Sequence, residues 1–295
     1  MSVVRMGDRI DLAHVVCPIG RRPEIRLCES FRAEGSEGDA LSRLAPSKGL
    51  KRYRCTSLLG ENQYRIAQLE SPAVPPEERV QALRWRLKDM VDFSVDGAAI
   101  AVTDIPTEGG RQAHVFAIIA PRVAVGEKMA NFHSAGVPLE AIDIPEMALR
   151  NVAALFEEPN RGLAFLVMHA GESLLTITHG GELYLSRRIE VSAQALAEAD
   201  VERRQQMLER LALELQRTLD NFDRQYGFVS VSRLLVSSEF DCAGTVAALA
   251  QNLYLPVQAA DLSAVAEFNA IPELRSAERQ AQSLLAIGAA LRGAA

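Results

Sequence analysis

Between Glu77 and Pro106 the apolar positions Val80, Leu83, Leu87, Met90 and Val91 recur at helical spacing, so a helix here gathers them on one stripe. The apolar run Ala98-Ala99-Ile100-Ala101-Val102 follows, bounded by Asp-Gly and Ile-Pro, and reads as a strand under that stripe. Upstream, alternation from Ser2 to Val16 around Met6-Gly7-Asp8-Arg9 predicts a hairpin, Ile25 to Cys28 a strand, and Gly35 to Leu44 a loop and short helix. Two more strands are expected over Cys55 to Leu59 and Tyr64 to Leu69, and Pro76-Glu77-Glu78 suits a helix start.

Downstream, Thr107-Glu108-Gly109-Gly110 turns the chain into a strand over Ala113 to Ala120, broken by Pro121. A helix from Val123 carries Val125, Met129 and Phe132 and stops at Gly136, the usual place for a C-terminal glycine. A strand at Leu139 to Ile144 and a helix at Pro145 to Phe156 close the first half, and Glu157 to Gly162 is the best linker. The second half repeats the plan. Strands at Leu163 to Met168, Leu174 to Ile177 and Glu182 to Val191, the last two joined through Gly180-Gly181, precede a long helix from Val201 to Tyr226. A strand at Val229 to Val236, a helix at Thr245 to Leu253, a short strand at Leu255 to Val257 and a helix at Ala277 to Leu291 complete a weakly duplicated α/β pattern.

Composition narrows the function classes. At 295 residues the chain is longer than one usual domain, and a net charge of −6 with no basic face argues against sequence-independent nucleic-acid binding. Cys17, Cys28, Cys55 and Cys242 lie far apart, which signals neither a zinc site nor a disulfide framework. His14, His114, His133 and His179 give no metal spacing, and His169 reads as a satisfied or solvent-facing loop histidine rather than a base. With no leader-like start and no stretch near the roughly 20 apolar residues of a membrane span, a cytoplasmic protein is expected, reaching a membrane only through another chain.

Trp85, the only tryptophan, falls opposite the apolar stripe among Arg84, Arg86 and Lys88. Such an indole can anchor a partner. In a helix wedged between two subdomains it is instead covered on both faces, and burial is the expectation here.

The runs ALRWRLKDMVDFSVDGAAIAV, HVFAIIAPRVAVGEKMANFHSAGVPLEAIDIPEMALRNV, ITHGGELYLSRRIEV and LLAIGAALR, in that order, resemble the PilM family of type IV pilus biogenesis proteins, with the MshI branch of mannose-sensitive haemagglutinin-type pili nearest. The resemblance covers most of the chain from about Leu58. It implies an actin-like (ribonuclease H-like) two-lobed α/β fold with mixed sheets: a first lobe over 1–156 with a small α/β subdomain inserted at about 61–135, and a second over 163–295. It also implies a cytoplasmic protein, peripheral to the inner membrane, that binds the N-terminal cytoplasmic tail of a PilN-like inner-membrane protein and touches the pilus assembly ATPase complex. The cytoplasmic part of GspL, from type II secretion, shares that fold. Many members bind ATP.

The family's first phosphate hairpin carries Asp-Ile-Gly-Ser-Ser before Val-Lys, where this chain has Arg5-Met6-Gly7-Asp8-Arg9-Ile10-Asp11. Gly7 remains, arginine replaces the acid, and Asp8 offers only a displaced carboxylate. The second hairpin keeps Gly171 but has His169 for the acid, and the adenosine-side glycine pair is Ser237-Ser238, whose side chains crowd a turn that glycine leaves open. The expectation is a degenerate nucleotide cleft at Gly7, Asp8, Gly171, Ser237 and Ser238, with no catalytic residue, no metal site, and ATP with Mg²⁺ doubtful. The resemblance then implies a non-catalytic scaffold. The candidate partner-binding residues are Arg84, Trp85, Arg86, Lys88, Arg122 and Lys128, about a groove between the inserted subdomain and the first lobe. The competing readings are an ATP-binding or ATP-hydrolysing actin-like protein and a GspL-like secretion component.

Overall fold

A computed structural model describes residues 1–109 and 111–294, so Gly110 of the expected turn lies outside the described residues. The strands are β1 (Ser2–Met6), β2 (Arg9–Val16), β3 (Glu24–Arg32), β4 (Cys55–Leu58), β5 (Arg65–Glu70), β6 (Ala99–Ile105), β7 (His114–Ala120), β8 (Leu139–Asp143), β9 (Gly162–Met168), β10 (Ser173–His179), β11 (Glu182–Ile189), β12 (Val231–Ser238) and β13 (Val257–Ala259). The helices are α1 (Glu37–Ser47), α2 (Arg79–Leu87), α3 (Arg122–Ser134), α4 (Pro145–Phe156), α5 (Ala193–Glu198), α6 (Val201–Gln225), α7 (Cys242–Asn252) and α8 (Ala277–Ala290). Contacts divide the chain into one compact unit of Met1–Asp11 with Ser30–Pro145 and a second of Leu12–Glu29 with Glu146–Ala295. The sequence places a boundary in the 157–162 linker, whereas this division falls between Pro145 and Glu146 and counts 12–29 with the second unit.

Two five-stranded sheets share one plan. Their orders are β3-β2-β1-β4-β8 and β11-β10-β9-β12-β13, each with a meander followed by two later strands added in parallel. Strand β9, Gly-Leu-Ala-Phe-Leu-Val-Met, is buried at every position, as a central strand covered on both faces must be. In the second unit α8 lies directly on α4. A Cβ placed on Gly288 would stand 2.1 Å from the Ala148 carbonyl oxygen, and Asn151 Nδ2 donates to the Gly288 carbonyl at 3.0 Å.

The inserted segment of the first unit forms its own three-stranded antiparallel sheet, β5-β7-β6, with β6 at an edge. Leu83 and Leu87 of α2 pack on Val115, Ala117 and Ile119 of β7, with Ile100 and Val102 of β6 alongside. The helix is shorter than its apolar stripe suggests. It ends at Leu87, so Met90, expected on the packed stripe, is 48% exposed beyond it. Helix α5 has too few turns to show a period, and it escaped the sequence reading. It is nucleated by Ser192, whose side chain accepts from Ala195 N.

Candidate functional site

The chain leaves Pro121 straight into α3, and one side of that helix is fixed by Phe132, fully buried, and by Lys128. Lys128 Nζ lies 2.7 Å from Glu37 Oε1 in the first turn of α1, with 5% and 11% of the two side chains exposed, and Asn131 Nδ2 donates to Glu37 Oε2 at 3.4 Å. This corrects the sequence reading, which counts Lys128 among outward-facing basic residues. A buried amine needs a hydrogen-bonding partner of opposite charge, and here it comes from Glu37, 91 residues earlier in the chain.

The other side of α3 is open. Met129 is 56% and Val123 69% exposed, although periodicity assigns Met129 to the packed face with Phe132. A cavity of about 470 Å³ runs between α3 and the start of β6, lined by Gly97, Ala98 and Ala99 on one wall and Arg122, Val125, Gly126 and Met129 on the other. A second, of about 460 Å³, continues from Met129 and His133 to Val137–Ile142 at the edge strand β8. Met129 lines both, so together they make a groove along α3. Arg122 at its mouth is exposed and has no hydrogen-bond or ion-pair partner among the described residues. The sequence reading included Arg122 but missed Gly126, a mid-helix glycine being the one signal available.

Of the four residues singled out on α2, two hold the fold together. Arg84 donates to the Val95 carbonyl, and Arg86 Nη1 to the Glu70 carbonyl at 3.2 Å. Trp85 is 79% exposed, which overturns its expected burial: α2 has one packed face, made by Leu83 and Leu87, and nothing wedges the other. Among the described residues its ring carries Lys88 alone, whose Nζ lies 5.9 Å from the centroid.

The turns assigned to a nucleotide fall in both units. In the first, Gly7 takes a left-handed φ of 59°, and Arg5 folds onto the turn, donating to the carbonyls of Gly7 (3.2 Å) and Gly35 (3.3 Å). Asp11 is buried, 3.0 Å from Arg9 Nε and accepting from Ser30 Oγ. In the second, the turn at His169–Glu172 closes on itself, with His169 N donating to Glu172 O at 2.9 Å. His169, read from sequence as a loop histidine, is buried with Nδ1 2.9 Å from Glu239 Oε1, and its Nε2 meets no partner. Arg188 bridges Glu172, at 2.9 Å, and the fully buried Glu146, at 3.6 Å. Ser237 and Ser238 are buried, and Ser238 Oγ donates to the Phe240 carbonyl at 2.5 Å while accepting from Phe240 N. Among the described residues no group of three or more histidines, cysteines, aspartates or glutamates could hold a metal ion, and no helix is long and apolar enough to cross a membrane.

The chain has an actin-like fold. It superposes on a chain of the PilM-PilN type IV pilus biogenesis complex with a TM-score of 0.73, at 21% identity, over 99% of this chain and 98% of that one. A Bacteroides thetaiotaomicron protein described as having an actin-like ATPase fold gives 0.53 at 10% identity, over 93% and 95% of the two chains. The cytoplasmic domain of EpsL, an inner membrane component of the type II secretion system of Vibrio cholerae, gives 0.51 at 13% identity, over 98% and 93%. No protein-family model and no curated protein matches the sequence.

Proposed function

We propose that this chain is a non-catalytic cytoplasmic scaffold of a type IV pilus assembly machine, of the MshI-like kind, that holds the cytoplasmic tail of a PilN-like inner-membrane protein. The observation that carries the reading is the groove along α3: an open, largely apolar channel beside two sheet edges, with a cation unpaired among the described residues at its mouth, on a fold shared with a PilM-PilN complex. An extended tail suits such a channel, because main-chain hydrogen bonds supply affinity and a few side-chain pockets supply specificity. Membrane association then comes from the tail's own anchor. The lower likeness to EpsL leaves a secretion role as the second reading.

The non-catalytic part rests on the turns. Nucleotide chemistry in this fold needs a carboxylate free to hold hydrated Mg²⁺ and main-chain donors open to phosphate. Asp11 is committed to Arg9 and Ser30, Glu172 to Arg188, and Glu239 to His169, while Arg5 caps the first turn and Ser238 fills its own. Asp8 alone is exposed. The residues present do not fit Mg²⁺ with ATP, and we derive no reaction from them.

Two measurements test the reading. Pull-down with the immobilised tail of the PilN-like protein should retain the purified chain, and failure to retain it removes the scaffold function. Mg·ATP should leave the melting curve unmoved, whereas a ligand at 100 times its Kd adds about 2.7 kcal/mol; a shift of that size, or phosphate release, restores the ATPase alternative.

A further inference from the structure

Gly126 occupies the fifth position of α3, where glycine is the least favourable residue after proline. Packing does not explain it. Its φ is not left-handed, and a Cβ built on it would meet nothing within 4 Å, so no neighbour in the fold requires the missing side chain. It faces the cavity instead, opposite Gly97, Ala98 and Ala99.

Those three residues lead into β6, whose one ladder among the described residues is to β7, so its outer edge carries main-chain donors and acceptors with no strand across from them, and its first residue, Ala99, lines the cavity. Ala99 and Ala101 are exposed while Ile100 and Val102 turn to the α2 side, which keeps the start of the strand low on its open face, with half-buried Thr103 next on that face. At one end stands Arg122, an exposed cation with no hydrogen-bond or ion-pair partner among the described residues.

We infer that the tail docks as a fourth strand on the edge of β6 and that Gly126 is the specificity residue, letting a tail side chain rest directly on the backbone of α3 while an acidic group of the tail pairs with Arg122. The inference rests on the tail-binding reading and adds to it a register, a contact residue and a charge. Bare backbone at Gly126 admits a branched apolar side chain that any larger residue there would displace, and the alanines of β6 keep the opposite wall low. Glycine then stands here against helix propensity because the partner, not the fold, uses the space.

The test titrates a fluorescent synthetic peptide of the PilN-like protein's cytoplasmic tail against the full chain. Gly126→Leu should weaken binding at least tenfold while melting no lower than wild type, and Gly126→Ala should melt about 2 °C higher with a smaller loss of affinity. Should Gly126→Leu melt lower, Ala99→Leu on the facing wall takes its place with the same expected loss. N-methylation of the peptide at alternate amides should abolish binding for one parity of positions and spare the other, because successive N–H groups of a strand point to opposite sides. Full affinity in both leucine variants, or equal effects of both parities, overturns the inference and leaves tail binding standing. A wild-type chain that ignores the peptide overturns both. A dimer of the free chain that Gly126→Leu dissociates assigns the groove to a second copy and also overturns it.

Discussion

Gly126 in α3 and Gly288 in α8 both lie inside helices, and their surroundings are opposite. At Gly288 the backbone of α4 arrives so closely that a single added carbon would stand 2.1 Å from the Ala148 carbonyl oxygen, and Asn151 secures the contact from the side. At Gly126 the same carbon would meet open space. The first glycine is explained inside the fold, as the residue that lets two helices touch. The second has no internal explanation. That asymmetry separates a glycine the packing requires from one it does not, and the second is the one the proposed tail groove would use.

The comparison can be broken at several points. Gly288→Ala should cost about 3 kcal/mol, read by denaturant unfolding, because either α8 or α4 must shift to admit the carbon; a neutral result would mean the contact is soft. A sealed environment also exists in the first unit, at Cys55 on β4, where burial pushes the thiol up to about 11. A folded-state value raised above the unfolded one keeps the proton on the native protein, so this contribution is fully present below pH 9 and is lost as pH rises towards 11. Stability should fall by about 2 kcal/mol across that interval, and Cys55→Ala should flatten the slope. Gly126→Ala should do the reverse of Gly288→Ala and gain about 0.5–1 kcal/mol, since helix propensity improves with no clash. Smallest is Trp85→Ala, expected within about 0.5 kcal/mol of wild type by thermal melting. It should also leave tail capture intact if the groove lies along α3, and lost capture would move the partner face to α2.

The architecture was legible because it follows from periodicity that the environment enforces. The two meanders, the long α6 and the inserted strands all announce themselves by alternation or helical spacing, and the same succession of strands and helices in both halves predicted the repeated sheet plan. What the sequence concealed was which face each helix presents. Trp85 looked buried because a hydrophobic ring normally is, and only the absence of any element over that side of α2 leaves it outside. Lys128 looked exposed because lysine usually is. Its partner Glu37 comes from a helix far upstream, and no local pattern links the two. Met129 sits at a spacing that fits the packed side of α3 and instead borders both halves of the groove. Among the turns, the departure of Arg5 and His169 from the pattern the resemblance implies was visible, whereas the partners that engage His169 and Glu172 depended on tertiary contacts.

The Lys128 and Glu37 pair has one further consequence. Dissolved ions barely reach two charges so nearly closed off from water, whereas they readily shield Arg122 at the groove mouth. If the proposed tail pairs an acidic group with Arg122, raising the ionic strength should therefore loosen that grip while the wall that receives it keeps its place, so that release needs no remodelling of the host.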